Sequence, residues 1–114
     1  MRDHTKLIAF QLADEMALRI YQATREFPPE ERYALANQLR RSAVSVASNI
    51  VEGCGRSTFP DYLRFLDMAH GSARELEYQI SLARRLGFLS SDLDLEAKSV
   101  ELSKVLNGLI NSLR

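Results

Sequence analysis

Tryptophan is absent from this 114-residue chain and cysteine occurs once, so no internal disulfide framework holds the fold together. A lone thiol fits a reducing compartment. Histidine is nearly as scarce: His4 and His70 stand apart from each other and from Cys54, without the ligand spacing of a metal site. No apolar run approaches the ~20 residues that cross a bilayer. The opening MRDHTKLIAFQLADEM also lacks the unbroken hydrophobic stretch of a secretory signal. A soluble, cytoplasmic protein with no membrane partner is expected. Net charge is missing too, with 15 basic and 15 acidic residues, so no overall field recruits nucleic acid or an anionic membrane. Lysine is rare: three against twelve arginines, nine of which lie between Arg25 and Arg85. Arginine forms planar, bidentate pairs with carboxylate or phosphate, so interface ion pairs and RNA phosphates both fit that bias. No segment alternates at period two and no Asn-Gly turn occurs, so strands are not expected. The length suits one core and not two.

What is present is helical periodicity. The organising stretch is Gln38 to Gly55, QLRRSAVSVASNIVEGCG. Ala36, Leu39, Ala43, Val46 and Ile50 recur at three- and four-residue spacing and form one apolar seam. Val44, Ala47, Val51 and Cys54 make a second, small-residue stripe on one flank. Gln38, Ser42, Ser45, Asn49 and Glu52 make a polar stripe on the other. An arc this wide predicts cover from at least two directions.

Around it, a first helix is predicted over Thr5 to Thr24, with a seam of Phe10, Ala13, Ala17, Ile20 and Thr24 and a Glu15–Arg19 pair. Pro28 and Pro29 stop it. Pro29 then suits the first turn of the second helix, with Phe27 as a staple. Gly53 and Gly55 end that helix, and Ser57 or Thr58 caps the third. The third carries a seam of Tyr62, Leu66, Ala69, Ala73, Leu76, Ile80 and Ala83 and a second buried stripe that includes Phe65, Met68, Ser72, Leu82 and Leu86, and it ends at Gly87. Ser90 or Ser91 caps a fourth, built on Leu95, Leu102, Leu106, Leu109 and Leu113, with Asp94–Lys98 and Glu101–Lys104 pairs outside. Four such helices with short connections predict a single all-α domain over residues 1–114, an up-down-up-down, left-handed four-helix bundle.

Candidate chemistry is thin. Cys54 at a helix C-terminus faces the negative end of the dipole, which disfavours a thiolate, so a buried small residue is expected. Gly53 to Thr58 resembles an anion nest but has no preceding strand and no P-loop lysine, so a plain turn is expected. On an antiparallel alignment about Ser57, Glu52 is expected to pair with Arg64 or to cap nearby backbone donors, and Arg40 or Arg41 to meet Glu75. Asn49, Glu52, Ser72 and Glu75 then form a structural polar network. Glu52 and Glu75 lie too far apart on that alignment for a catalytic carboxylate pair. No catalytic residues, no cofactor and no metal are expected, and the chain reads as a non-enzyme.

FPPEERYALANQLRRSAVSVASNIVEGCGR, followed by FPDYLRFLDMAHGSARELEYQISLARRLGFL, resembles the four-helix-bundle family named for reading frames in 23S ribosomal RNA intervening sequences. The likeness covers nearly the whole chain. It is strongest at Phe27-Pro28, Gln38-Leu39, Asn49-Ile50, Glu52-Gly53, Arg56, Ser72, Glu75-Leu76 and Leu86-Gly87. Phe10 departs from it, standing near where relatives often carry Trp. The resemblance implies a homopentamer, five protomers around an axis. It also implies kinship with the accessory variability protein of diversity-generating retroelements, a basic relative that works with nucleic acid. A non-enzymatic oligomeric module is therefore the leading expectation. RNA or DNA binding through Arg40, Arg41, Arg56, Arg64, Arg84 and Arg85 is the alternative.

Overall fold

The structure is a computed structural model describing residues 2–90 and 93–114. Among the described residues it holds four α-helices and no strand: α1 (Ile8–Thr24), α2 (Leu35–Cys54), α3 (Phe59–Arg85) and α4 (Leu93–Leu113). They close a ring, α1 on α2, α2 on α3, α3 on α4 and α4 back on α1, which makes an up-down-up-down four-helix bundle. The rod measures 44 × 23 × 19 Å.

The predicted seams of α2 and α3 are buried at every position, Ala36 through Ile50 and Tyr62 through Ala83. Of the second stripe expected on α3 only Phe65 is buried; Ser72 and Leu82 are half-buried, and Met68 and Leu86 are exposed because they turn away from both neighbouring helices. The seams of α1 and α4 are displaced at their edges. α1 buries Ala9, Ala13, Met16, Ile20 and Thr24, while Phe10 and Ala17 are only half-buried. Leu95, Leu102 and Leu106 are buried in α4, but Ile110 takes the core position expected of Leu109.

Helix starts differ from expectation for local reasons. The Asp3 carboxylate accepts the Thr5 amide at 3.0 Å and caps a 3₁₀ turn over His4–Lys6. Extended backbone at Leu7 then separates that turn from α1, which begins at Ile8 and not Thr5. Pro29–Glu31 is likewise a separate 3₁₀ turn, and α2 starts only at Leu35, whose N–H donates to Glu31 Oε2 at 3.3 Å. Phe27 is buried in the core. Its ring lies against Phe88 at 5.6 Å and ties the α1–α2 turn to the α3–α4 turn.

The turns behave as the sequence predicts. Thr58 Oγ1 accepts the Asp61 N–H at 3.3 Å and caps α3. Gly87, at φ 81°, ends it with Phe88 N–H bonded to Ala83 O at 2.9 Å and Gly87 N–H to Arg84 O at 3.0 Å. For the α4 cap, Ser91 lies outside the described residues. The charged pairs are redistributed: Asp94 takes Arg19 across the α1–α4 seam at 2.9 Å, and Lys98 turns to Glu101 at 3.9 Å. Arg84–Glu96 and Arg114–Asp67 pin α3 to α4.

Candidate functional site: the polar groove between helices α2 and α3

Helix α2 places Ser42, Ser45 and Asn49 at spacings of three and four, so one flank is lined with short polar groups. Helix α3 repeats that spacing with Ser72, Glu75 and Gln79. Antiparallel packing sets the two rows face to face. Ser42 donates to Glu75 Oε1 at 2.9 Å, and three residues further along α2 the Ser45 and Ser72 hydroxyls meet at 2.8 Å. These pairs put the pivot between Thr58 and Phe59, a residue or two beyond the Ser57 of the predicted alignment.

Asn49 Nδ2 donates to the Ser45 carbonyl and hydroxyl, at 2.9 and 3.1 Å. Gln79 Nε2 reaches Glu75 Oε1 at 3.4 Å. The buried Gln79 Oε1 has no hydrogen-bond partner among the described residues. The result is a groove of about 700 Å³ floored by hydroxyls and amides, with Tyr33 and Arg41 on its rim.

Of the four predicted network residues, Ser72 and Glu75 bond across to α2, and Asn49 joins them only through Ser45 of its own helix. Glu52 does not join them. It pairs with Arg56, just past the end of its own helix, at 3.1 Å, while Arg64 turns to Asp61 at 3.5 Å. Glu75 is met by Ser42 and Gln79 and not by arginine: Arg40 points the other way, with Nε on Thr24 Oγ1 at 2.8 Å and its guanidinium over the Tyr21 ring. Because the Glu52–Arg56 pair is exposed and local, Glu52→Ala is expected to change unfolding free energy by under about 0.5 kcal/mol. Urea unfolding of the variant checks this; a loss of several kcal/mol would restore the buried role. Gln79 was missed by sequence reasoning, although its place four residues after Glu75 continues the row.

The six candidate nucleic-acid arginines do not converge. Arg64 and Arg84, twenty positions apart on α3, are separated by about 30 Å of helix. Arg56 and Arg64 both stack on Phe65, at 4.5 and 4.6 Å from the ring centroid. Arg84 is paired with Glu96, and Arg85 bonds the Ser81 carbonyl and hydroxyl. Arg41 faces the groove.

Cys54 is buried as expected. Burial raises its thiol above the ordinary range, and the opposing pull of Arg2 is weaker. Gly55, not Gly53, caps the end of α2; Gly53 lies within the helix, where a Cβ would stand 2.8 Å from Phe65 Cβ, so α2 and α3 touch at this point. His4 lies edge-on to Phe10 at 4.7 Å. Among the described residues no three His, Cys, Asp or Glu side chains are grouped to hold a metal ion. Nor is any helix among them long and apolar enough to cross a membrane.

The fold and groove define an all-helical, up-down four-helix bundle whose α2–α3 pair is joined by side-chain hydroxyls. The pattern of the 23S rRNA-intervening sequence protein family matches residues 5–108, and the chain belongs to that family. A crystal structure described as a protein of unknown function from the S23 ribosomal protein family of Bacteroides thetaiotaomicron shares the fold. It is 24% identical, with a TM-score of 0.82, covering 91% of this chain and 96% of that one. No curated protein matches the sequence.

Proposed function

We propose that the protein is a non-enzymatic, self-associating helical-bundle module, with five copies as the number the family resemblance implies. One observation carries this reading: the flank of α2 holding Val44 and Val51 is left 41% and 39% exposed in the single chain. Tyr21 on α1 and Met68 on α3 are also open, as are Tyr33, Tyr78 and Leu86. Val44 and Val51 stand seven residues apart on one stripe of α2, and an apolar stripe left open in this way fits an interface between copies. Phe65 does not contribute, since it is buried within the protomer beneath Arg56 and Arg64.

Gel filtration with light scattering at micromolar concentration is expected to give a mass about five times the 12.9 kDa of one chain. The double substitution Val44→Glu, Val51→Glu is expected to lower that mass while leaving helical circular dichroism intact. A 12.9 kDa wild-type monomer rejects the proposal.

Nucleic-acid binding is the second reading. The family description concerns 23S rRNA, and a ring of copies would repeat every arginine around its axis. It ranks lower because the six arginines named for it do not converge, Arg64 and Arg84 alone being about 30 Å apart along α3.

A further inference from the structure

The turn joining α1 to α2 encloses a second cleft, about 390 Å³ in volume, distinct from the α2–α3 groove. Arg25, Arg32 and Arg40 border it, with Thr24, Phe27 and Pro28 among the other walls, and no carboxylate lines it. We propose that this cleft is an anion site in which the three guanidiniums hold a phosphoryl group.

Arg40 is set in place before any ligand arrives. The buried Thr24 hydroxyl donates to the Ile20 carbonyl at 2.7 Å and accepts from Arg40 Nε at 2.8 Å. The guanidinium also lies 4.8 Å from the centre of the Tyr21 ring. With Nε and one face so engaged, the two terminal NH₂ groups keep their donors for another partner.

Arg25 and Arg32 are exposed, and among the described residues their side chains make no ion pair or hydrogen bond. Glu26 and Glu30 are close in sequence but do not line the cleft, and Glu31 is turned to the Leu35 N–H. Backbone dipoles nearly cancel, because the cleft lies between the negative end of α1 and the positive end of α2, roughly half a charge each. The three unneutralised guanidiniums therefore decide the local potential. Carboxylate supplies one charge in a plane, whereas a phosphoryl group supplies more charge and several oxygens in a tetrahedron. That match favours phosphate. The volume is at the small end of ligand pockets, enough for a phosphorylated metabolite, and the same oxygens occur in a phosphodiester backbone.

Calorimetric titration of the full chain with sodium pyrophosphate, and separately with a single-stranded oligonucleotide, tests this and separates the two sources. The comparison variant is Arg25→Gln, Arg32→Gln, whose exposed positions leave folding intact by circular dichroism. The variant is expected to bind the better probe about 100-fold more weakly, roughly tenfold for each guanidinium removed. Tighter binding of the oligonucleotide, with a salt slope reduced by about two in the variant, identifies nucleic acid as the source. Tighter binding of pyrophosphate identifies a small phosphorylated ligand. Equal affinity of wild type and variant for both probes, or no binding of either to wild type, overturns the proposal.

Discussion

Leu39→Ala is expected to cost about 3–5 kcal/mol of unfolding free energy, the upper part of the range for a fully buried leucine. Leu39 is 0% exposed and sits mid-seam on α2, the helix that packs against both α1 and α3. The loss combines the transfer of the deleted methyl groups with the cavity left behind. Interlocked helices on two sides collapse poorly into such a space. A chain of 114 residues has about 6–17 kcal/mol of total stability, so this one change removes a large share of it. Urea unfolding should show a lower midpoint with little change in slope. A loss below about 1 kcal/mol would mean that α2 is not the packing centre of the bundle.

Gly53→Ala is expected to destabilise by about 1–3 kcal/mol, while the same change at Gly71 stabilises by up to about 1 kcal/mol. Both glycines lie inside helices, so propensity alone favours alanine at each. The difference is what the new methyl meets. At Gly53 it would stand 2.8 Å from Phe65 Cβ, an atom anchored to the α3 backbone, so the helices themselves must part. Those helices also carry the Ser42–Glu75 and Ser45–Ser72 bonds, whose geometry would loosen with any separation. At Gly71 a Cβ meets nothing within 4 Å. Thermal melts of the two variants should therefore shift in opposite directions. Shifts of the same sign would show that the α2–α3 approach at Gly53 is not tight.

Apolar periodicity and turn chemistry were readable from the chain because each is a local constraint. Leu66 and Leu76 must face inward whatever α3 packs on, and Gly87 adopts a backbone angle that disfavours other residues. Helix starts were less readable. A 3₁₀ turn, capped by Asp3 ahead of α1 and opened by Pro29 ahead of α2, competes there with the first α-helical turn. Partner choice across the groove was hardest. Long arginines reach several carboxylates, so Glu52 settles on the nearer Arg56, and a pivot shift of a residue or two puts Ser42 opposite Glu75. The three-residue spacing of Ser42 and Ser45, matched by Ser72 and Glu75 and continued by Gln79, marks the groove better than the charges do. The arginine cleft was not visible, because Arg25, Arg32 and Arg40 come together only through the turn at Pro28 and Pro29.

The cyclic order of the helices also bears on how the chain reaches its native state. Three of the four helix pairings join elements consecutive in sequence, and only α1 with α4 spans the molecule. Loop-closure entropy is thus lost in short steps, hairpin by hairpin, which places the bundle among low-contact-order topologies that fold in microseconds to milliseconds. A nascent chain could pair α2 with α3 before α4 has been synthesised, shortening the time its apolar stripes stay open to aggregation.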